Sequence, residues 1–584
     1  MEERFGLDVA PHERPPVAWY ELSGLLRVAR EQLWSLNLLR NLDRREGFAG
    51  PFEAVDLSQQ AGEDGSFWID FVADTGDGSS ATTAVAQGLL APRLQPQWPE
   101  PQPDAARAHA AGLPTARLLV LGGDLAYPGA SPDHYQARLV EPLELARPGP
   151  AFDPDKIVVA IPQNHDWMDS LSTFCRYFVN GPRAGLLGAR APQRRSYFAL
   201  ALPHGWALLG LDFALAGDID RAQFEAFREL IDEERIPRGA PVLLVYPEPY
   251  WTREIGDRSR PGYPKRYQRL EALLMAHGCQ IQLRLAGDLH HYVRESLPPS
   301  ALGHTSELVT SGSGGAFGHP THSREVQAPK FLLHGIDRHA AQADLRERVF
   351  VGRAPAGRDA PRPEPKLEAL HAFGHDRRCW PREGPSRRRA WGNVFALLQW
   401  RHRGFTGSLA LLMALASLLP GGVWPLILGS LPGALAALTV ATENDPLGAR
   451  WRDRALALPL LAGVALLMGG LVQLEPWWWR LPAAWLGVGL LFGSYLAVMS
   501  AVFGLLPNNA ASALRGEREK GFLRLRVHAG GVEAFMLGID EAPRRWQRNP
   551  EGWPRWRPLG PAPTWKVVDH FELRPADRGA THGA

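Results

Sequence analysis

The stretch Leu118-Leu-Val-Leu-Gly-Gly-Asp-Leu-Ala-Tyr127 decides the fold: four apolar residues in a row, two glycines, then a carboxylate. An apolar run this short, closed by a turn signal, reads as a strand buried on both faces. Four further runs have the same form. Phe67 to Ala73 ends at Asp74, Ile157 to Ile161 leads to Asn164-His165-Asp166, Val242 to Val245 leads to Tyr246-Pro247-Glu248, and Ile281 to Leu285 ends at Gly287-Asp288-Leu289-His290-His291. Helical stretches lie between them, as at Asp220 to Glu234, where Phe224, Phe227 and Ile231 recur at helical spacing. The alternation predicts an α/β or α/β-sandwich domain. Ligands collect outside the carboxyl ends of such strands, so the polar residues that close the runs are expected to converge.

The chain has 584 residues, too many for one ordinary domain. Its net charge of +2 gives no global signature of nucleic-acid binding, and none is expected. Cys175, Cys279 and Cys379 lie far apart and form no C-x-x-C pair, which suits a reduced, cytosolic setting. Met-Glu-Glu-Arg-Phe at the start lacks the profile of a secretory signal.

Residues 1–60 read as a polar helical arm carrying Leu25, Leu33, Leu38 and Leu39, and residues 61–345 as the α/β catalytic unit. Residues 346–403, rich in Pro, Gly and Arg, read as a linker. In 404–506 the stretches Phe405 to Leu419, Val423 to Ala441, Ala455 to Leu474 and Leu481 to Leu506 contain no Lys, Arg, Asp or Glu. They predict an α-helical transmembrane region of about four helices, given that ~20 apolar residues cross a bilayer. Arg387 to Arg389, Arg401, Arg403, Arg450, Arg452, Arg454, Arg515, Arg518 and Lys520 all fall on one side. Trp477, Trp478 and Trp479 fall on the other, as an interfacial belt. The positive-inside rule then predicts a multi-pass protein of the inner (cytoplasmic) membrane whose catalytic unit faces the cytoplasm, with the lipid bilayer as a partner. Within 507–584, Phe522 to Val527 and Val532 to Leu537 alternate around Gly530-Gly531, a hairpin signal for a cytoplasmic β extension that is a candidate to join the catalytic sheet.

Clustered carboxylates, an amide and imidazoles suit a pair of cations, which lower the pKa of a water and neutralise phosphoryl oxygens. Asp124 suits the bridging position, because Gly122 and Gly123 let the backbone turn sharply before it.

Taken together, Asp74-x-Gly-Asp, Gly123-Asp124-x-x-Tyr127, Asn164-His165-Asp166 and Gly287-Asp288-x-His290 resemble the motif series of the calcineurin-like metallophosphoesterase superfamily. Gly-Asp-x-x-Tyr is similar to its purple acid phosphatase branch. The resemblance covers about residues 66–322 and implies a four-layer α/β sandwich holding two divalent or trivalent ions (Mn, Fe or Zn). It implies that Asp74, Asp124 and His290 hold one metal, with Tyr127 a candidate phenolate ligand, and that Asp124 and Asn164 hold the other. His165 would stabilise the phosphoryl oxygens or protonate the leaving group, positioned by Asp166.

This chain departs from the family pattern at four places. Gly76 stands where many relatives have a metal-binding His, with Asp77 or Tyr127 as compensation. Gln163 replaces a Gly, Asp288 replaces the first His of Gly-His-x-His while remaining a competent ligand, and no His follows the Val242 run, where Glu248 reads as a surface or supporting acid rather than a ligand, with substitution for the His or a weaker second site as the alternatives. The glycine-rich segment Thr310 to His322 lets backbone approach the centre closely, and His322 is the candidate for the missing imidazole. Strand-end Asp and Asn also close turns without any ligand.

The expected function is therefore a membrane-anchored hydrolase of a phosphomonoester or phosphodiester, with a lipid headgroup or a nucleotide messenger as candidate substrates. Two alternatives stay open: a degenerate phosphoesterase-fold scaffold, and a transporter-like protein with a regulatory phosphoesterase domain.

Overall fold

The computed structural model describes residues 8–21, 52–100, 104–151, 153–179, 186–213, 217–253, 266–297, 306–327, 330–333, 370–373, 377–420, 424–425, 427 and 455–575. The leucines of the arm and nearly all of the second predicted span lie outside them.

In chain order the principal strands are β1 (Val55–Asp56), β2 (Phe67–Val72), β3 (Leu118–Leu121), β4 (Ile157–Ala160), β5 (Phe198–Ala201), β6 (Ala207–Gly210), β7 (Pro241–Tyr246), β8 (Gln280–Ala286), β9 (Tyr292–Leu297), β10 (Ser306–Ser311), β11 (Arg377–Trp380), β12 (Arg518–His528), β13 (Gly531–Glu541) and β14 (Lys566–Leu573). An eight-stranded sheet runs β1-β5-β6-β7-β8-β10-β9-β11, and a six-stranded sheet runs β14-β13-β12-β2-β3-β4. Each has a parallel heart, β6-β7-β8-β10 in the first and β2-β3-β4 in the second.

The fold is mixed α/β because both sheets bury both faces. Phe71, Val120, Val159 and Leu525 meet Leu208, Val245, Leu283 and Val309 in the core between the sheets. On the outer face of the six-stranded sheet, Val85 and Leu89 of α1 (Ser79–Leu90) and Phe174 and Phe178 of α2 (Ser172–Phe178) cover Leu119, Leu121 and Val158. On the other outer face, α3 (Arg221–Asp232) and α4 (Arg266–Ala276) bring Phe227, Ile231, Leu270 and Leu274 onto Leu209, Val242 and Leu244. Each such side chain contributes roughly 1.5–3 kcal/mol on burial. α3 starts where its sequence says, with the Asp220 carboxylate accepting from the Gln223 N–H at 2.6 Å as an N-cap.

Two sequence boundaries change. The stretch read as a linker contains β11, which pairs with β9 at the edge of the eight-stranded sheet, and α5 (Glu383–Ala390). Composition hid this because β11, Arg-Arg-Cys-Trp, gains its place from backbone pairing and from Trp380, which is buried. The C-terminal residues are not a separate extension either. β12 lies antiparallel to β2 with Arg524 opposite Asp70, so the tail completes the sheet that carries Asp74. Both side chains are fully buried and paired through two bonds, Nε to Oδ1 at 2.7 Å and a terminal nitrogen to Oδ2 at 2.9 Å.

The apolar region contributes α6 (Arg403–Ala416), α7 (Leu458–Gln473), α8 (Arg480–Ala501) and α9 (Pro507–Leu514). Among the described residues one helix is long and apolar enough to cross a membrane, Trp477–Ala501, with mean hydropathy 1.7. At 14 residues α6 reaches only ~21 Å, against ~30 Å of hydrocarbon. With nearly all of the second predicted span outside the described residues, the expected spans are represented among those residues by one helix of spanning length and shorter apolar helices. Their outward faces carry exposed Leu411, Leu415, Leu466 and Leu486, and Trp477 to Trp479 lie exposed at the start of α8.

Candidate metal centre

Three carboxylate residues leave their strands in the left-handed region: Asp74 after β2 at φ 58°, Asp124 after β3 at φ 51° and Asp288 after β8 at φ 69°. Asp tolerates this conformation better than most residues, and such backbone concentrates at functional sites. Gly123, at φ 99°, makes the turn into Asp124, and Gly122 has no room for a Cβ, which would lie 2.4 Å from the Phe71 ring.

The Tyr127 hydroxyl lies 3.1 Å from Asp74 Oδ1, 3.0 Å from Asp124 Oδ2 and 3.0 Å from His290 Nε2. His290 Nε2 is itself 3.6 Å from Asp74 Oδ1. Four predicted residues from three strand ends are thus brought together around one phenol oxygen. The Asp288 N–H donates to Asp74 Oδ2 at 3.0 Å, which adds the strand-end turn of β8 to the group. The imidazole orientation is fixed from behind, because Nδ1–H of His290 donates to the Phe317 carbonyl at 2.8 Å and leaves Nε2 turned to the cluster.

Gly76 explains why Tyr127 holds the middle. A Cβ there would lie 2.3 Å from the Ala126 Cα and 2.4 Å from the Leu125 carbonyl, so no larger side chain, a histidine included, has space at this position. Asp77 is not the compensating ligand: its Oδ1 accepts from the Val17 N–H at 2.9 Å and from Trp19 Nε1–H at 3.2 Å, pinning the N-terminal segment.

Other predicted residues take different places. The Asp166 carboxylate accepts from the backbone N–H of Asp124 (2.7 Å), Leu125 (3.2 Å) and Gln163 (2.9 Å) and from the Tyr135 hydroxyl (2.6 Å). It shapes the Asp124 turn rather than orienting the His165 ring, whose Nδ1–H donates to the Pro128 carbonyl at 2.8 Å. The His165 N–H donates to Asp124 Oδ1 at 3.1 Å, while Asn164, one residue earlier, is exposed. His322 is diverted altogether. Its Nδ1 meets the Ser386 hydroxyl at 2.9 Å and its Nε2 the Ser500 carbonyl at 3.0 Å, so it ties the glycine-rich segment to α5 and to the end of α8. Where a histidine was sought after the Val242 run, β7 ends in Tyr246, whose hydroxyl donates to Glu271. The glycine-rich segment approaches Asp74 itself, with the Gly314 N–H on the Ala73 carbonyl at 3.1 Å and the Ala316 N–H on the Asp74 carbonyl at 2.8 Å.

Sequence reasoning missed Trp19, whose ring meets those of Tyr127, His165 and Phe317 edge-on at 5.6, 5.9 and 5.7 Å. It also missed His319, stacked on His290. No periodic signal marks Trp19, and in the histidine-bearing segment only contact geometry separates His319 from His322.

The electrostatics fit a cation. Burial first, then the charge of Asp288, pushes Asp124 up to about 8. Burial, then Asp124 and Asp288, raises Asp74 well above the carboxylate range. Burial, then Asp124, lifts Asp166 to about 7. All three are raised relative to an unfolded value of ~3.9, so the metal-free fold holds protons that the unfolded chain has released. The contribution of Asp124 and Asp166 to stability is complete below about pH 4 and is lost as pH rises through about 7 to 8, and Asp74 acts in the same direction. In a chelator, Tm is therefore expected to fall from about pH 5 to about pH 8, and Mn2+ at the upper end should restore most of it by replacing the protons. Melts over this range with and without chelator check it; a Tm that climbs with pH in chelator contradicts it.

A second group lies elsewhere on the six-stranded sheet. The ligand atoms of Glu533, His570 and Glu572 all fall within 4.8 Å of one another, a possible metal-binding triad. Its carboxylates already have cationic neighbours, Arg526 at 3.0 Å on Glu533 and Arg574 on Glu572.

No protein-family model and no curated protein matches the chain. Among solved structures it is similar to "GAP50 the anchor in the inner membrane complex of Plasmodium", at 11% identity over 44% of this chain and 74% of that one, with a TM-score of 0.29. It is also similar to PhoD, at 11% identity over 46% of this chain and 59% of that one, with a TM-score of 0.24. The chain thus spans under two thirds of PhoD, and at these scores neither likeness carries an argument about fold or activity.

Proposed function

We propose that this protein is a calcineurin-like metal-dependent phosphoesterase, hydrolysing a phosphomonoester or phosphodiester, and that α8 with its neighbouring apolar helices anchors it in the inner membrane with the catalytic unit in the cytoplasm. One observation carries the reading: Asp74, Asp124 and His290, from three strand ends, meet within 3.1 Å of the Tyr127 oxygen.

Asp74, Asp124, Tyr127, His290 and Asp288 would hold metal. Buried carboxylates facing one another with an imidazole and a phenol form a donor set for Mn, Fe or Zn. Such cations supply Lewis acidity to the phosphoryl oxygens and lower the pKa of a water.

The chain's own residues do the rest. Asp124 is oriented through both oxygens, Oδ2 by Tyr127 and Oδ1 by the His165 N–H. With Nδ1–H committed to Pro128, His165 exchanges protons through Nε2, and burial lowers its pKa, so the imidazolium gives up a proton readily to a leaving alkoxide. Trp19 and Phe317 shield the cluster from water on one side, which strengthens every charge interaction within it.

The test is turnover of aryl phosphate mono- and diesters by the full-length protein in detergent, before and after chelation and after Mn2+, Fe or Zn2+ is restored. Activity lost on chelation and regained with one of these ions supports the reading; turnover indifferent to chelation defeats it. A fold retained without turnover is favoured by one observation, the exposure of Asn164. In that case the purified protein would hold less than one tightly bound ion per chain.

A further inference from the structure

The His290 imidazole reaches the Tyr127 hydroxyl through Nε2, and its backbone is gripped on both sides by a second histidine. The His290 N–H donates to His319 Nδ1 at 3.1 Å, and the His319 N–H donates back to the His290 carbonyl at 3.0 Å. The two rings lie parallel, 3° apart in plane and 4.1 Å between centroids, and both residues are buried. Because Nδ1 of His319 accepts a backbone N–H, the neutral ring carries its proton on Nε2, which faces Asn508 Oδ1 at 3.4 Å.

Asn508 belongs to α9, the short helix that follows α8. That helix is held from three directions. Tyr20 donates to the Asn509 carbonyl at 2.9 Å, His402 Nε2 meets the Ala513 carbonyl at 2.9 Å, and Arg401 donates to the Leu514 carbonyl at 2.8 Å. Tyr20 also packs edge-on against Phe405 of α6, with centroids 5.1 Å apart.

We propose that His319 is the positioning residue for His290 and that Asn508 carries it, so that the orientation of this metal-binding imidazole is set from the helical region rather than by the catalytic loops alone. The inference rests on the metallophosphoesterase reading and deepens it. A ligand whose outer partners are removed typically loses 10- to 100-fold in metal affinity. His319 is not placed to touch substrate; it acts through His290.

The experiment measures Mn2+ binding by calorimetry to metal-free full-length protein in detergent, for wild type, His319→Phe, His319→Asn and Asn508→Ala, with a melting curve for each. His319→Phe keeps a stacking ring but removes the acceptor for the His290 N–H, and Mn2+ affinity is expected to fall roughly 10- to 100-fold. His319→Asn places an amide oxygen near the position of Nδ1 but has no Nε2–H for Asn508, so it is expected to lose only the several-fold of Asn508→Ala, well short of the loss in His319→Phe. Asn508→Ala is expected to weaken binding several-fold with little change in the Tm of the metal-free protein. Wild-type affinity in His319→Phe overturns the proposal, and so do equal losses in the Phe and Asn variants, which would show that restoring the acceptor for the His290 N–H rescues nothing. If His319→Phe does not fold, the Asn508→Ala affinity decides, with no change counting against the proposal. A wild-type protein that binds no Mn2+, Fe or Zn2+ removes the metallophosphoesterase reading itself, an outcome distinct from bound metal indifferent to His319.

Discussion

Asp124→Asn is expected to lower kcat/KM on an aryl phosphate by roughly three orders of magnitude, about 4 kcal/mol of transition-state stabilisation, and to strip metal from the purified protein. The substitution is nearly isosteric, so the turn that presents residue 124 should persist. That turn is built on Asp166, which receives the backbone N–H groups of Asp124, Leu125 and Gln163 and does not depend on the Asp124 side chain. What changes is charge. Asp124 has both oxygens engaged, by Tyr127 on one side and the His165 N–H on the other, so an amide keeps an acceptor on one side only. In the metal-free protein the variant should be no less stable than wild type, and near neutral pH it should be more so, because an amide has no proton to take up on folding, whereas burial and then the charge of Asp288 push the Asp124 carboxyl up to about 8. Metal content by elemental analysis, turnover and a melting curve in chelator together check this. Full metal and full turnover in Asp124→Asn would place the centre elsewhere in the molecule.

The largest stability effect is expected at Asp70. Its carboxylate is fully buried and paired bidentately with the equally buried Arg524, which also donates to the Leu89 carbonyl at 3.3 Å and the Leu113 carbonyl at 3.4 Å. Asp70→Ala leaves the guanidinium without its counter-charge inside the sheet, at a cost of about 3–5 kcal/mol, or roughly 10 °C in Tm. Replacing both partners together, Asp70→Leu with Arg524→Met, should recover most of the loss, since an apolar pair of similar volume needs no compensating charge. The pair joins β12 to β2, the strand that delivers Asp74, so the single variant should also lose metal affinity while the double variant retains it. Thermal melts of the three proteins check the order; a single variant melting with wild type would show that the pair contributes nothing to the sheet.

The five apolar runs were legible because a strand buried on both faces admits little else, and the structure places β2, β3, β4, β7 and β8 on them. Asp74, Asp124, Tyr127 and His290 were legible for a related reason. They follow strand ends closely, and parallel strands deliver their carboxyl ends to one edge of a sheet, here β2 and β3 in the six-stranded sheet and β8 in the eight-stranded sheet that packs on it. Residues whose position depends on contacts made far along the chain were not legible. Trp19 reaches Tyr127 because Asp77 and Arg515 hold the backbone at Val17. His319 rather than His322 reaches His290, because the imidazole of His322 is taken up by Ser386 and by the end of α8. β11 is a strand because β9 offers an unpaired edge, not because Arg-Arg-Cys-Trp favours extension.

What the sequence determined by itself was therefore the local material: which runs must be buried, where they stop, and which chemically capable side chain stands at each stop. Only the tertiary structure decided which of those side chains share a centre, that the C-terminal hairpin belongs to the six-stranded sheet through Asp70 and Arg524, and that Gly76 leaves the central position to Tyr127. The physical reason is range. Burial and turn formation act on neighbours a few residues apart, whereas hydrogen bonds, ion pairs and steric exclusion act over a few ångströms of space, whatever length of chain lies between.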